Sequence, residues 1–197
     1  AAIKNIEISE FNPIETIDTN VNGTVNIIKL LIKKNPSKFI NISTDKAADP
    51  STLYGNTKLL GEKVTSWAGN HIKKTKCGTI RFGNVRESRG NVFEIWNEEK
   101  NNNQPLSITN PSMKRYFINS KDVVDFILNG LTIVNMGEIL IPKMKNFKIK
   151  TLANEISKSH KIIGLRQGEK LEEILLTEEE KHRSIEKENM WIIKPHK

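Results

Sequence analysis

Tyr54 and Lys58, four residues apart in Tyr54-Gly55-Asn56-Thr57-Lys58, are the residue types and the spacing that proton chemistry would use. A helical pitch of 3.6 residues sets both on one face, with the ammonium able to approach the phenol. A positive charge there favours phenolate and lowers a pKa whose ordinary value is about 10, so the spacing predicts a tyrosine that acts as a base near neutral pH. Just upstream, Ser43-Thr44-Asp45-Lys46-Ala47 adds a carboxyl group and a second amine that can face the same pocket. Together these supply an oxidation pair and a separate acid/base pair. A bare Tyr-x-x-x-Lys also describes a half-buried tyrosine covered by a lysine stem. The specific signal is the combination: an apolar strand, Ser-Thr-Asp-Lys-Ala, a proline turn at Pro50, then Tyr-Gly-x-Thr-Lys.

The elements that must position these groups are legible around them. Residues 38–42, Lys-Phe-Ile-Asn-Ile, read as a short buried strand, so Ser43 to Lys46 emerge at its carboxyl edge, where open α/β sheets bind ligands. Upstream, Asn12-Pro13 opens a crossover helix with Ile14, Ile17, Val21, Val25, Ile28 and Leu31 or Ile32 on a common face, ended by Asn35-Pro36. Downstream, Leu59, Val64 and Trp67 continue the tyrosine helix to Gly69-Asn70. Residues 76–82 are the next buried strand and 92–100 a short helix followed by a polar loop at 101–105. Ser120 caps a helix whose apolar stripe is Val123, Val124, Ile127, Leu128 and Leu131. A strand at 138–141, a helix at 149–157, a solvated helix start at Glu178-Glu179-Glu180-Lys181 and a closing strand at Trp191-Ile192-Ile193 complete the pattern. Strands alternating with helices give an α/β class.

The Ser-Thr-Asp-Lys-Ala and Tyr-Gly-x-Thr-Lys motifs resemble the extended short-chain dehydrogenase/reductase superfamily, and within it the inverting UDP-N-acetylglucosamine 4,6-dehydratases of polysaccharide biosynthesis. The Asp-Lys pair moves the reading from the superfamily's sugar epimerases to its dehydratases. Further segments fit in order: Ala1-Ala2-Ile3-Lys4; Gly83-Asn84-Val85; Ser88-Arg89-Gly90-Asn91; residues 106–118 through Arg115; and Ile163-Gly164-Leu165-Arg166-Gln167-Gly168-Glu169-Lys170-Leu171, with Gln167 where proline is usual. Arg86-Glu87 departs from the family's small residues. Asn20 fits a Thr-Asn-Val-x-Gly-Thr segment, either as a proton relay or as an asparagine bonded to backbone; both readings stand.

The resemblance implies a Rossmann-like doubly wound sheet, in its C-terminal part, plus a small α/β substrate lobe. It places residues 1–85 with the dinucleotide-binding domain, 116–135 and 138–142 packing back on it, and 86–115 and 143–197 in a UDP-sugar lobe. The implied reaction is NADP-dependent dehydration of UDP-N-acetylglucosamine to a 4-keto-6-deoxy sugar, with inversion at C5. Asp45, Lys46, Tyr54 and Lys58 are the implied catalytic residues. Tyr54, Lys58, Ala2 and Ser43 would hold NADP, with NAD as the alternative. Lys4, Thr44, Asn84, Arg89, Arg115, Arg166 and Glu169 would hold the nucleotide sugar. For its part in elimination Lys46 must be neutral and Asp45 protonated, against ordinary values of about 10.4 and 3.9. Arg115 is also read as pairing with Asp122. The rival readings are an epimerase or reductase of the same superfamily, or a catalytically incomplete nucleotide-sugar-binding fragment.

Composition narrows the setting. At 197 residues, with 37% hydrophobic and 27% charged, the chain is globular. An excess of 31 basic over 23 acidic residues gives +8 and favours an anionic partner. Lys33, Lys34, Lys73, Lys74 and Lys76 lack aromatic interleaving, so a nucleotide diphosphate sugar fits better than nucleic acid. Cys77 is the single cysteine and His71, His160, His182 and His196 have no ligand spacing, which excludes an intrachain disulfide and predicts no metal site. With no membrane-length apolar run, the expectation is a cytoplasmic protein, homo-oligomeric at full length, meeting a membrane only through a missing front. No Gly-x-Gly-x-x-Gly turn occurs, and the chain reads as a fragment without the cofactor-binding front half.

Overall fold

The computed structural model describes residues 2–195; Ala1, which opens the first family-like segment, and His196, read as a surface histidine, lie outside the described residues. Short helices α1 (Ile6–Phe11) and α2 (Pro13–Ile17) lead through a π-helical turn (Asp18–Asn22) into α3 (Gly23–Lys34). Strand β1 (Lys38–Thr44), a 3-10 turn (Asp45–Ala47), α4 (Leu53–His71) and β2 (Lys76–Phe82) follow. Then come β3 (Asn84–Val85), α5 (Val92–Asn101), β4 (Leu106–Ile108), β5 (Lys114–Ile118), α6 (Ser120–Ile133), β6 (Ile139–Pro142) and β7 (Lys145–Lys148). The chain continues through α7 (Ile149–Ile156), β8 (His160–Ile162), α8 (Glu178–His182), β9 (Ser184–Glu186) and β10 (Met190–Ile193).

Chain contacts divide into two units, one holding residues up to 82, 125–143 and from 174 on, the other 83–124 and 144–173. The first unit is a sheet of order β1-β2-β6-β10-β9, parallel across β1, β2 and β6 and antiparallel from β6 through β10 to β9. Alternation along each strand sends Cys77 to a cluster with Ile28, Leu31 and Ala68 of α3 and α4. It sends Ile80 and Leu140 to a second cluster with Val134, Phe126 and Ile127. Helices therefore cover both faces of the parallel part of a mixed sheet, the doubly wound arrangement.

The segment from 174 on belongs with this unit, whereas the sequence reading put 143–197 wholly in the lobe. The physical cause is β10, whose Met190 to Ile193 pair with Pro142 to Ile139 of β6 and carry the closing segment onto the sheet. Residues 116–124, read as packing back on the first domain, group with the second unit through β5 and its pairing with β7.

Two helical faces differ from their sequence pattern. The π turn adds a residue to one turn of the crossover helix and rotates everything before it. Thr16 and Asn20 are buried in consequence, while Ile14 is 77% exposed and Ile17 41%. On α6, Val123, Phe126, Ile127 and the following Val134 face inward, and Val124 and Leu128 are exposed.

The second unit pairs β3 with β5 in parallel and β5 with β7 antiparallel, with β4 and β8 as a separate parallel pair. Its core is aromatic and aliphatic: Trp96, Leu106, Ile108, Met113, Phe117, Ile149 and Leu152. Phe93 meets Trp96 edge-on at 5.7 Å and Phe117 at 5.3 Å.

Candidate active site

The end of β1 and the start of α4 are brought together by local chemistry. Thr52 is the N-cap of α4, its hydroxyl accepting from Gly55 N at 3.1 Å, and Glu10 of α1 accepts from Leu53 N at 2.7 Å. Two otherwise orphaned helix donors are thereby satisfied. Gly55 allows the close approach: a Cβ there would stand 2.5 Å from the Lys46 carbonyl oxygen. The 3-10 turn carrying Asp45 and Lys46 thus lies directly on the first turn of the tyrosine helix.

Asp45 is buried, 1% exposed, with Oδ1 accepting from the Thr44 hydroxyl at 2.9 Å and from Lys46 Nζ at 3.1 Å. Its Oδ2 and the hydroxyl of Ser43 are buried without a hydrogen-bond partner among the described residues. Tyr54 belongs to the same constellation. Burial pushes its phenol above the ordinary value of 10.0; the Lys46 ammonium pulls it down, the Asp45 carboxylate pushes it up, and a side-chain hydrogen bond with Thr44 lowers it.

The expected lowering of the Tyr54 pKa by Lys58 is therefore corrected. The net direction is upward because desolvation dominates, and the ammonium acting on the phenol is that of Lys46. Lys58 donates instead to the carbonyl oxygen of Ile42 on β1. Burial pushes its own pKa below the ordinary value of 10.5, and Glu62, one turn further along α4, opposes that shift.

Asn20 is bonded both to backbone and to a side chain of α4. Its side chain exchanges hydrogen bonds with Ile3 N and Ile3 O at 2.8 and 3.0 Å and donates to Thr57 Oγ1 at 3.0 Å. It fastens the segment holding Ala2 and Lys4, both exposed, to the tyrosine helix.

In the second unit, Asn84 lies on β3 and donates to Tyr116 O at 3.2 Å, and Arg89 is exposed beside Gly90, whose φ is +71°. Arg115 is buried and does not pair with Asp122. Its Nη1 donates to the Lys114 carbonyl at 2.8 Å and its Nη2 to the Lys170 carbonyl at 2.8 Å. Arg166 and Glu169 close a turn on themselves: Arg166 N donates to Glu169 Oε2 at 3.0 Å and Glu169 N to Arg166 O at 3.1 Å, with Gly168 at φ +77°. Arg115 thus grips the backbone that follows this turn. Lys114 adds an ion pair to Glu172 at 3.1 Å.

Sequence reasoning missed one cluster. Arg81, fully buried on β2, bonds Glu62 through Nε at 3.0 Å and Nη2 at 2.6 Å, and Glu180 through Nη1 and Nη2 at 2.8 Å each. Glu180, read as part of a solvated run, is buried. The available signal was a charged residue inside an apolar strand, since such a residue needs a buried partner of opposite sign.

Among the described residues no group of His, Cys, Asp or Glu is placed to hold a metal ion. No helix of the described residues is long and apolar enough to cross a membrane.

Comparison with known proteins places this arrangement. The chain is 41% identical over 200 residues to the UDP-N-acetylglucosamine 4,6-dehydratase (inverting) of Campylobacter jejuni subsp. jejuni serotype O:2, a match covering 99% of this chain and 60% of that protein. The UDP-glucose 4-epimerase of Rickettsia rickettsii matches at 36% identity over 91% of this chain and 55% of its own length. Among solved structures, Pen from Bacillus thuringiensis superposes with a TM-score of 0.93 at 32% identity, covering 98% of this chain and 64% of that one. The dTDP-glucose 4,6-dehydratase DesIV from Streptomyces venezuelae, with NAD and TYD bound, shares the fold with a TM-score of 0.80 at 15% identity, over 89% of this chain and 62% of its own. The chain spans about 60% of the length of the dehydratases it matches. The fold is that of the extended short-chain dehydrogenase/reductase proteins, and a family model matches residues 1–195: the chain belongs to the polysaccharide biosynthesis protein family.

Proposed function

We propose that this chain carries the proton-transfer centre of a UDP-N-acetylglucosamine 4,6-dehydratase that makes a 4-keto-6-deoxy sugar for polysaccharide assembly. The observation that carries the reading is the Asp45–Lys46 pair, joined at 3.1 Å on the turn beside Tyr54 and tied to it through Thr44. Epimerisation at C4 needs one proton-handling group besides the redox cofactor, whereas dehydration needs three, and this turn supplies a phenol, an amine and a carboxyl.

The residues divide the work by their chemistry. With its phenol ionised, which the Lys46 ammonium favours and burial opposes, Tyr54 takes the proton of the sugar 4-hydroxyl as that carbon is oxidised, and the resulting ketone makes the C5 hydrogen acidic. Lys46 then removes the C5 proton while Asp45 protonates the departing C6 hydroxyl, so that water leaves across C5 and C6. Lys46, holding the proton it took, would return it to C5 once C6 has been reduced, which completes the 4-keto-6-deoxy product. The Lys46–Asp45 contact at 3.1 Å holds the amine and the carboxyl side by side on one turn, and this division of work asks the amine to be neutral and the carboxyl protonated at the moment of elimination. NADP, or NAD, supplies the chemistry of accepting the hydride and returning it. The buried hydroxyl of Ser43, with Tyr54 and Lys58, suits such a dinucleotide, whose ribose hydroxyls and amide accept and donate hydrogen bonds. Ala2 contributes only backbone groups. In the second unit Asn84, Arg89, Arg166 and Glu169 are the proposed holders of the diphosphate and ribose. Because Arg115 is committed to carbonyl groups, its part is to shape the Lys170–Leu171 backbone. A reducing cytoplasmic setting and a homo-oligomer complete the reading.

The test is incubation with UDP-N-acetylglucosamine and NADP, followed by NMR and mass analysis of the sugar. Appearance of a dehydrated 4-keto-6-deoxy product supports the reading. A C4 epimer without loss of water overturns it in favour of an epimerase, and binding of the sugar without turnover overturns it in favour of a binding fragment.

A further inference from the structure

Glu62 lies one helical turn beyond Lys58 on α4, so a carboxylate stands next to the lysine that the proposed reaction uses. Both are drawn from water: Glu62 is 2% exposed, and burial pushes the Lys58 ammonium towards its neutral form while Glu62 opposes that push. The position of Glu62 is itself fixed with unusual completeness. An arginine has five N–H donors in a rigid fork. All five of Arg81 are engaged: two with Glu62, two with Glu180 and one with the Leu175 carbonyl at 2.9 Å. Glu180 is held in turn by a capping box, in which Glu180 N donates to Thr177 Oγ1 at 3.1 Å and Thr177 N donates to Glu180 Oε2 at 3.0 Å.

The cluster holds two carboxylates and two guanidiniums, Arg81 between them and Arg183 at 4.0 Å from Glu180. Glu62 is gripped by Arg81, and its i, i+4 place on α4 sets it on the same helix face as Lys58. Lys58 is the cation one turn away, and its ammonium is anchored on Ile42 O, next to Ser43, which pairs in register with Arg81 across the β1–β2 ladder. The other titratable groups around Lys58 are Tyr54, one turn back on α4, and Asp45 and Lys46 on the turn that α4 packs against. Arg183 lies beyond Glu180 at 4.0 Å.

We propose that Glu62, locked by Arg81 and Glu180, is a positioning residue for Lys58, supplying the negative charge that keeps its ammonium ionised and seated on the end of β1. The inference rests on the reading of Lys58 as a holder of the dinucleotide at the end of β1. It adds a route by which the segment from 174 to 180, distant in sequence, sets the electrostatics of the tyrosine helix.

The experiment follows the Lys58 side chain by NMR of 13Cε-labelled lysine across pH, in the wild type, Glu62→Gln, Glu62→Asp and Glu180→Gln, beside kcat/KM profiles with UDP-N-acetylglucosamine. Glu62→Gln is expected to lower the Lys58 titration midpoint by about one unit, as loss of an adjacent opposite charge does, and to move the alkaline limb of kcat/KM to lower pH by the same amount. Glu62→Asp, which keeps the charge, should restore most of both. Glu180→Gln should lower Tm while moving the midpoint less. A purely structural Glu62 would lower Tm and leave the midpoint in place, and an unmoved midpoint in Glu62→Gln overturns the proposal even if the enzyme is active. A moved midpoint in a protein that releases no dehydrated sugar leaves the role of Glu62 standing and removes the dehydratase reading instead.

Discussion

The two units differ in what they bury: beside its apolar clusters the first also encloses a polar layer, whereas the core of the second is chiefly aromatic and aliphatic. On the α4 side of its sheet the first unit encloses Asn41, Ser43, Thr57, Glu62, Thr65 and Arg81, and the amide of Asn41 and the hydroxyls of Ser43 and Thr65 have no partner among the described residues. The second unit encloses Trp96 with Phe93 and Phe117 in edge-on contact, and the Trp96 indole is satisfied by Ser107 O at 2.8 Å. A polar interior is costly and gains its specificity from directed bonds, whereas an aromatic one is held by area and shape. The contrast teaches that the first unit is built to hold charges in place and the second to hold its backbone rigid.

The sharpest separation should come from Asp45→Asn and Lys46→Met. Each is expected to lower kcat for dehydration by roughly 10²–10⁴, the range of a lost general acid or base, with little change in Tm for Asp45→Asn and a lower Tm for Lys46→Met, which strands the buried Asp45 carboxylate. Equal loss of activity and stability would erase the distinction between a site and a core. Next in size are Arg81→Leu and Trp96→Ala, each expected to cost about 3–5 kcal/mol in urea unfolding but for different reasons. Arg81→Leu strands two buried carboxylates, so its cost should shrink as pH falls far enough to protonate them. Trp96→Ala leaves a cavity, and its cost should not follow pH.

Cys77 gives a smaller, signed effect. Burial pushes its thiol from the ordinary 9.0 up to about 11, so the unfolded chain releases that proton first. Its contribution to stability is complete below the lower value and is lost as pH rises towards the upper one. Between those limits Cys77→Ala should lose stability with pH less steeply than the wild type, measured by urea unfolding. The smallest effect belongs to the α4 cap, where Thr52→Ala should cost about 1 kcal/mol in the same measurement.

Much of the first unit was readable because its signals are local. The apolar run at 38–42 and the cap-and-glycine pattern around Tyr54 report themselves within a few residues, and β1, the turn and α4 stand where the spacing put them. What escaped depends on contacts far apart in the chain or on backbone geometry with no simple code. Glu180 looks solvated among its neighbours and is buried only because Arg81, distant in sequence, receives it. The π turn gives no periodic sign of itself, so Ile14 and Ile17 seem to belong to a stripe that it rotates outward. Within the site, the Tyr54–Lys58 spacing was legible, but the pull of Ile42 O on Lys58 was not, since backbone carbonyls carry no sequence signature. Likewise the bond of Arg115 to the Lys170 carbonyl left no sign in the sequence, since Lys170 reaches it only through the fold.

Gly55 permits the turn and the tyrosine helix to touch, and its counterpart lies at the other end of that helix. A Cβ on Gly69 would fall 2.1 Å from Gly137 N, and one on Gly137, at φ +77°, would fall 2.4 Å from Ser66 O. Helix α4 is thus closely approached near both extremities, at points about 21 Å apart along its axis. It behaves as a beam clamped at two supports. A methyl group inserted at the far support would swing the near one, so the phenol of Tyr54 is hostage to a pair of glycines it never meets.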